Sequence, residues 1–224
     1  MQPNPQHQGD GLPGDSVWRE ESFSAGSSEA RVAALRPHVA SKRIAVGVCA
    51  GIASYKVCSV VSALAQAGAE VTVALTPDAQ RFVTPLVFQS LSGRAVLTSV
   101  WESSAPADPQ HIRIASALDL YLIAPCTMDM VAKLATGRCD DIVSLLAASI
   151  DRTRTPVAIA PSMNTEMLRQ PATVRNLTTL RGDGFAVIEP GTGWQACRSV
   201  GPGRLPEPDD LLRVVVELLG SRSV

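Results

Sequence analysis

The chain of 224 residues has almost no excess charge and no long apolar run, and both absences exclude classes of protein. Its 20 basic and 21 acidic residues leave a formal net charge of −1, so it has no general electrostatic attraction for nucleic acid or anionic lipid. No apolar stretch has the length of a membrane span, and the N-terminus lacks the apolar segment of a signal peptide. We therefore expect a small-molecule partner, and no nucleic-acid or membrane partner.

Cysteine motifs are missing as well. The five cysteines are odd in number and scattered, without the CxxC or Cys/His spacing of a zinc site, which also argues against a disulfide framework. They are Cys49, Cys58, Cys126, Cys139 and Cys197. This pattern predicts no metal site and a reducing, cytoplasmic location.

The length and the 46% hydrophobic content are sufficient for one substantial core. Residues 1–40 are rich in Gln, Gly, Pro and Ser and show no sustained apolar period, which predicts a mostly disordered tail. Residues 41–224 are then expected to form a single domain. The sequence has no internal repeats.

Short apolar runs alternate with segments of helical periodicity from Arg43 onward. The predicted strands are residues 43–48, 70–75, 119–123, 156–160 and 185–188. The predicted helices are residues 52–67, 78–92 in broken form, 127–149 with an interruption near Gly137, 165–181 and 208–219. This alternation predicts a doubly wound α/β fold, Rossmann-like or flavodoxin-like, whose mostly parallel sheet carries helices on both faces.

The first strand runs into a turn that bears glycines and opens a helix, residues 47–56. Exposed amides at a helix N-terminus favour a phosphate, and Thr76 at the end of the next strand could add a hydroxyl. The turn matches neither GxGxxG nor GxxxxGK[ST], so the two commonest nucleotide motifs are absent. Glycines that serve only tight packing are the alternative interpretation.

A second polar segment, residues 161–167, places Asn164 where a strand is followed by a helix. The carboxyl ends of parallel strands are where open α/β sheets bind ligands, so Asn164 is a candidate for holding a small anion. The alternative is an ordinary helix N-cap at Asn164 or Thr165.

Histidine is scarce, which limits the candidate bases. His7 and His38 lie in or beside the predicted tail, and His111 is left as the candidate imidazole of the folded part. A surface or capping histidine is the alternative interpretation of that position. Beyond the last predicted strand, residues 193–204 are glycine-rich and are predicted to form a mobile flap, with Cys197 and Arg204 as its chemically useful members.

Taken together, these segments resemble the homo-oligomeric flavin-containing cysteine decarboxylases, from Lys42 to Pro208. The matching segments are a GxxxGIAxYK-like turn at 47–56, the pair His111-Ile112, a PxMNxxMW-like motif at 161–168 and an ACxxxGxGR flap at 196–204. Residues 124–130 match the family's PASANT segment more loosely. Three positions depart from the family pattern: Asp129 replaces Asn, Leu168 replaces Trp and Arg198 replaces Gly.

The resemblance implies FMN as the cofactor. Its phosphate would lie near Gly51, Ile52, Ala53, Ser54 and Thr76. Its ring would lie beside Phe82, Pro125, Cys126, Thr127 and Asp129. The resemblance also implies a trimer or dodecamer of identical chains with sites between subunits, and the ligase domain of some family members has no room in this chain.

The implied reaction is decarboxylation of a phosphorylated, cysteine-containing small molecule, phosphopantothenoylcysteine, in coenzyme A biosynthesis. The flavin would oxidise the cysteine to a thioaldehyde, CO2 would leave, and the remaining ene-thiol would be reduced. In this scheme His111 is the base or electrostatic partner, Asn164 holds the carboxylate and Cys197 supplies a proton. The other implied substrate contacts are Met167, Ala196 and Arg204.

Four alternatives remain open from the sequence. A peptidyl-cysteine decarboxylase, acting on the C-terminus of a ribosomal peptide, would use the same histidine, asparagine and flavin. Flavin prenyltransferases share the fold, but the asparagine motif and the downstream cysteine argue against them. A regulatory subunit without turnover would be expected to lack the histidine or the cysteine, and a generic nucleotide-binding module is the least specific alternative.

Overall fold

The computed structural model describes residues 28–101 and 109–221, and a five-stranded parallel sheet forms its centre. The strands are β1 Arg43–Val48, β2 Glu70–Leu75, β3 Leu120–Cys126, β4 Val157–Pro161 and β5 Ala186–Val187. Their order is β2-β1-β3-β4-β5, and each neighbouring pair is parallel. This is the flavodoxin-like order, in which ligands bind beyond the carboxyl ends of β1 and β3. The predicted doubly wound fold is confirmed.

Nine α-helices lie within the described residues. They are α1 Ser28–Val39, α2 Ser54–Gln66, α3 Pro85–Ser92, α4 Gln110–Ala117, α5 Met128–Thr136, α6 Ile142–Ala148, α7 Thr165–Arg169, α8 Pro171–Gly182 and α9 Pro208–Gly220. A 3₁₀ turn, Pro77–Arg81, precedes α3, so the predicted break in residues 78–92 is confirmed. Within the described ranges, no helix has both the length and the apolarity needed to cross a bilayer.

The single helix predicted for residues 165–181 is wrong, because the structure has two helices there. Pro171 is the first residue of α8. Proline has no backbone N–H to continue a preceding helix, but its fixed φ suits the first turn of a new one. The short helix α7, which follows Asn164, is therefore a separate helix and not the first turns of α8.

The side chains of the central strand β3 divide the core into two layers. Leu120, Leu122 and Ala124 belong to one buried cluster, while Tyr121 and Ile123 belong to the other. This alternation follows from the two-residue period of a strand. The first cluster includes residues of α1, α2, α3 and α9, and the second includes residues of α4, α5, α6 and α8. Helices α2 and α4 therefore cover opposite faces of the sheet.

The predicted tail of residues 1–40 is wrong for its last third, because residues 28–39 form α1. Leu35 and Val39 are buried against the first core cluster, and Arg31 Nε lies 2.8 Å from Asp209 Oδ1 of α9. Two buried side chains in a polar helix give too weak an apolar period to be recognised in a sequence. Residues 1–27 lie outside the described residues.

The predicted flap is an antiparallel hairpin. Its strands are β6 Gly191–Trp194 and β7 Val200–Arg204, and residues 195–199 form its tip. The hairpin is a separate two-stranded sheet, so its strands do not pair with any strand of the central sheet.

Truncating Leu35 tests whether α1 belongs to the folded domain. We expect Leu35→Ala to lower the free energy of unfolding by about 2–5 kcal/mol, the usual cost of emptying a buried leucine site. The exposed neighbour variant His38→Ala should change it by less than about 0.5 kcal/mol. Urea unfolding of both variants measures the difference. Equal stabilities would mean that residues 28–39 do not contribute to the core.

Candidate active site

The turns that follow β1, β2, β3 and β4 are tied together at the carboxyl edge of the sheet. Three backbone hydrogen bonds join them: Thr76 N to Val48 O at 3.1 Å, Cys49 N to Pro125 O at 3.2 Å, and Ser162 N to Cys126 O at 2.9 Å. These bonds lie at or beyond the ends of the hydrogen-bonded strand pairs. They therefore fix the positions of the loops as well as those of the strands. Residues that are far apart in the sequence are thereby held along one edge.

The turn after β1 presents open backbone amides. Within the described chain, the N–H groups of Gly51, Ile52 and Ala53 have no hydrogen-bond acceptor, and no atom lies within 4 Å of the position of a Cβ on Gly51. The buried hydroxyl of Ser54 donates inward, with Cys49 O at 3.0 Å and Gly51 O at 2.7 Å. Ser54 thus shapes the turn from beneath, while the amides at the start of α2 remain available to an anion.

The other glycine of this turn has a packing role. A Cβ on Gly47 would lie 2.5 Å from the hydroxyl oxygen of Tyr121, which donates to Val143 O at 3.1 Å. The interpretation of packing glycines is therefore confirmed for Gly47, whereas Gly51 faces open space.

Asn164 is the N-cap of α7, so the capping interpretation is confirmed. Its Oδ1 accepts a hydrogen bond from Met167 N at 2.8 Å. Its Nδ2 has no acceptor within the described residues, and Asn164 lines a cleft. Because the cap commits the oxygen, it also orients the NH2 group, which can only donate. A carboxylate is a suitable acceptor for this group.

The hairpin packs directly against the loop that carries Asn164. Met163 N donates to Gly203 O at 3.0 Å, and a Cβ on Gly203 would lie 2.2 Å from Met163 O. Gly203 also has a φ of +122°, which disfavours other residues. A Cβ on Gly201 would lie 2.2 Å from Thr165 Oγ1. Glycine at these two positions is what permits the hairpin to reach the loop.

A cleft with a volume of about 450 Å³ lies between α2, the Asn164 loop and the hairpin. Seven of the site residues predicted from the sequence line it: Gly51, Ile52, Ala53, Asn164, Ala196, Cys197 and Arg204. The exposed apolar side chains of Ile52, Tyr55 and Trp194 also contribute to its wall. The cleft thus combines open amides, an oriented amide side chain, a thiol and an apolar surface.

Two cations line the cleft and share one carboxylate. Glu207 Oε1 lies 2.6 Å from Lys56 Nζ and 3.3 Å from Arg204 Nη2. Lys56 and Arg204 both line the cleft, and sharing one carboxylate leaves this group with a net positive charge. The interaction with Glu207 positions Arg204 without neutralising the pair of cations, which favours an anionic ligand.

The remaining predicted site residues do not line the cleft. Thr76 follows β2 at the same edge, and Phe82 and Met167 are exposed. Thr127 Oγ1 accepts from Met130 N at 3.2 Å as the cap of α5, and Asp129 pairs with Lys133 at 3.2 Å. These positions stay predictions.

Two cysteines at the edge are structural thiols. Burial raises the pKa of Cys49 to about 12 and raises the pKa of Cys126 well above its usual value. Both side chains are inside the second core cluster, so Cys126 has only its backbone to offer a ligand, and its carbonyl already accepts from Ser162 N. Cys197, in contrast, is exposed at the hairpin tip.

His111 is separated from the cleft. It is half-buried on α4, which packs against α6 on the face opposite α2, and it does not line the cleft. The described chain therefore brings Asn164 and Cys197 together but leaves His111 elsewhere.

Lys56 and Gln195 are among the cleft residues that were not predicted as site residues. Lys56 belongs to the turn that the sequence indicated, but a lysine at the start of a helix is usually solvated. Gln195 is buried although it is polar, and its Oε1 accepts from Thr165 N at 3.3 Å, while the Thr165 hydroxyl donates to Pro202 O at 2.9 Å. The sequence feature that could have indicated Gln195 is its position two residues before the candidate thiol of Cys197.

The model of the family described as Flavoprotein matches residues 33–220, most of the chain. The chain belongs to this flavoprotein family. Among curated proteins it is 46% identical over 180 residues to the coenzyme A biosynthesis bifunctional protein CoaBC of Mycolicibacterium smegmatis, and 43% identical over 176 residues to that of Bacillus subtilis. These alignments cover 80% and 78% of this chain, but 42% of each relative. The chain thus spans less than half the length of the curated relatives it matches.

Solved structures of FMN-dependent and PPC decarboxylases share the fold. A PPC decarboxylase variant complexed with pantothenoylaminoethenethiol matches with a TM-score of 0.70 at 25% identity, over 78% of this chain and 96% of that one. The FMN-dependent cysteine decarboxylase SpaF matches with a TM-score of 0.69 at 26% identity, over 81% and 98%. TvaF, from thioviridamide biosynthesis, matches with a TM-score of 0.65 at 30% identity, over 80% and 98%.

Adding one methyl group at Gly203 tests the contact between hairpin and loop. We expect Gly203→Ala to displace the hairpin, because the new Cβ would overlap Met163 O and the backbone conformation would cost on the order of 1–3 kcal/mol. Hydrogen exchange of the Met163 amide should become faster.

The matched control is Gly182→Ala, because no atom lies within 4 Å of a Cβ at that position and Gly182 ends α8. This variant should leave the exchange of Met163 unchanged. Unchanged protection in Gly203→Ala would show that the hairpin does not depend on this contact.

Proposed function

We propose that this chain binds FMN and decarboxylates phosphopantothenoylcysteine to phosphopantetheine in coenzyme A biosynthesis. The observation that carries the proposal is that the capped Asn164, whose NH2 group has no acceptor in the described chain, lines the same cleft as Cys197. The identity of 46% to a CoaBC protein and the likeness to a PPC decarboxylase support the same reaction.

The residues of the cleft fit a flavin mononucleotide. A phosphate suits the open amides of Gly51, Ile52 and Ala53 at the N-terminus of α2, where the helix dipole adds about 0.3–1 kcal/mol. Gly51 leaves room for a group to approach the backbone, and Ile52 and Trp194 give an apolar wall for a ring. Bound FMN supplies the oxidation and reduction that a protein side chain cannot.

Asn164 binds and orients the substrate carboxylate in this proposal. A hydrogen bond from its Nδ2 to a charged acceptor contributes about 1.5–3 kcal/mol. The cations Lys56 and Arg204 favour the anionic substrate as a whole, including its phosphate. The carboxylate is thereby held beside the thiol of Cys197, which gives its proton to the carbon that is reduced after CO2 has left.

His111 acts as the base or electrostatic partner of the oxidation, and we propose that it reaches the cleft of a neighbouring copy. The support is its place on α4, on the face opposite the helix that borders the cleft of its own chain. A homo-oligomer, trimeric or dodecameric, would unite His111 of one copy with Asn164 and Cys197 of another. Exposed apolar side chains such as Ile52, Leu86 and Trp101 are compatible with such contacts.

A second candidate is decarboxylation of a peptide that ends in cysteine. The likeness to SpaF and to TvaF is compatible with it, since these are described as FMN-dependent cysteine decarboxylases and not as enzymes of coenzyme A biosynthesis. The two cations that border the cleft favour the phosphorylated small molecule instead. All five cysteines are free thiols, which supports a reducing location such as the cytoplasm.

The proposed reaction is tested by incubating FMN-reconstituted protein with phosphopantothenoylcysteine and, separately, with a peptide ending in cysteine. We expect a flavin absorption spectrum and loss of the mass of CO2 from the first substrate. Protein that cannot be reconstituted with FMN, or conversion of the peptide alone, would contradict the proposal. Asn164→Asp is the matched variant, since it keeps the capping oxygen but replaces the donor with a negative charge. Its turnover should fall by at least about 10²-fold with an unchanged melting temperature.

The shared site is tested by mixing two inactive variants. His111→Asn should lower turnover by about 10²–10⁴-fold while FMN stays bound, the range for losing a positioned acid or base. If the site joins two copies, co-assembled His111→Asn and Asn164→Asp chains regain about a quarter of wild-type activity through random pairing. Mixed chains that stay as inactive as each variant alone would place both residues in the same copy's site.

A further inference from the structure

Gln195 is a buried amide between the two segments that carry Asn164 and Cys197. The residue is 7% exposed, and it lies at the start of the hairpin tip, two residues before Cys197. Its Nε2 donates to Pro202 O at 2.9 Å, across the hairpin. A buried amide is retained at low cost only when both ends are hydrogen-bonded, and here they are.

The oxygen of this amide contacts both segments. Thr165 N donates to Oε1 at 3.3 Å, and Cys197 Sγ lies at 3.6 Å from it. The Thr165 hydroxyl is also 3.3 Å from Oε1, but its proton has a nearer acceptor in Pro202 O at 2.9 Å. Thr165 follows Asn164 directly and is the first residue of α7. One side chain therefore connects the helix that Asn164 caps with the thiol of the flap.

The backbone of Gln195 fixes the tip that carries the thiol. Gln195 N donates to Ser199 O at 2.8 Å, and Arg198 N donates to Gln195 O at 2.9 Å, so residues 195–199 form a closed turn. Cys197 Sγ lies 3.1 Å from Ser199 Oγ within that turn. The position of the tip relative to the loop of Asn164 is thus defined by the same residue that contacts the sulfur.

We propose that Gln195 is the positioning residue for Cys197. Its amide holds the S–H group and the α7 N-terminus in one fixed arrangement, so the thiol stands opposite the group that Asn164 binds. The expected effect on turnover rests on the proposed function, because it requires Cys197 to be the proton donor. The expected immobilisation of the thiol does not depend on the proposed function.

The test compares the alkylation rates of two cysteines in the FMN-loaded protein without substrate. Cys139 is the internal standard, since it is exposed in the α5–α6 connection and its Sγ bonds to Gly137 O at 3.4 Å. We expect Gln195→Met, which keeps the length of the side chain, to raise the Cys197 to Cys139 rate ratio for N-ethylmaleimide by about fivefold, as for the loss of one neutral hydrogen bond. Thr165→Val should shift the ratio in the same direction if Gln195→Met does not fold.

Gln195→Glu provides the rescue. A protonated carboxyl group donates and accepts as an amide does, whereas the carboxylate cannot donate to Pro202 O. The ratio, taken relative to wild type at each pH, should therefore fall toward one as the pH decreases. In turnover with phosphopantothenoylcysteine, Gln195→Met should still release CO2 but accumulate the ene-thiol.

A raised ratio that Gln195→Glu reverses at low pH supports the positioning role. A wild-type ratio in folded Gln195→Met, or a Gln195→Glu ratio independent of pH, overturns it. A raised ratio in protein whose wild-type form does not decarboxylate refutes the proposed function and leaves the positioning of Cys197 supported.

Discussion

The close packing of Gly203 against the carbonyl of Met163 holds the hairpin against the loop of Asn164, and the candidate cleft depends on it. A parallel sheet by itself gives a row of strand ends, and the hairpin β6-β7 is not part of that sheet. Only because two glycines let β7 lie against the loop after β4 does the thiol of Cys197 stand near the amide of Asn164. The site is therefore built from close backbone packing first and from side-chain chemistry second.

One carboxylate also positions both cations of the candidate site. Glu207 holds both Lys56 and Arg204, so the cations are oriented before a ligand arrives and the entropy of ordering two long side chains is already lost. Away from the cleft, Lys133 bonds to the carboxylates of Asp129, Asp140 and Asp141 and fastens α5 to the start of α6. Both arrangements use one residue to position several others.

The parts of the molecule that local patterns determine could be predicted from the sequence. Strands such as β1 and β3 are continuous apolar runs, because both faces are buried, and the order of the helices follows from periodicity. Helix α1 could not be predicted, since its two buried side chains depend on α2 and α9, which are distant in the sequence. The end of α7 before Pro171 could have been predicted from the proline, but the helical spacing of the apolar residues on both sides of it indicated one continuous helix.

The candidate site divides in the same way. Asn164 and Cys197 stand in recognisable motifs, and the structure brings them into one cleft. The importance of Gln195 is invisible in a sequence, because it depends on the distance between a hairpin tip and Thr165. The separation of His111 from the cleft depends on which face of the sheet α4 covers, and that follows from the strand order together with right-handed crossovers.

The cap of Asn164 also determines which ligand groups this side chain can bind. Because Oδ1 is committed to Met167 N, the amide cannot turn over, and the cleft offers a donor to whatever lies there. A ligand that presents an ammonium or another donor meets no partner at this point. In the proposed reaction, the carboxylate that Asn164 holds departs as CO2. The product then lacks the acceptor that bound the substrate, so we expect the cleft to bind the product less tightly than the substrate.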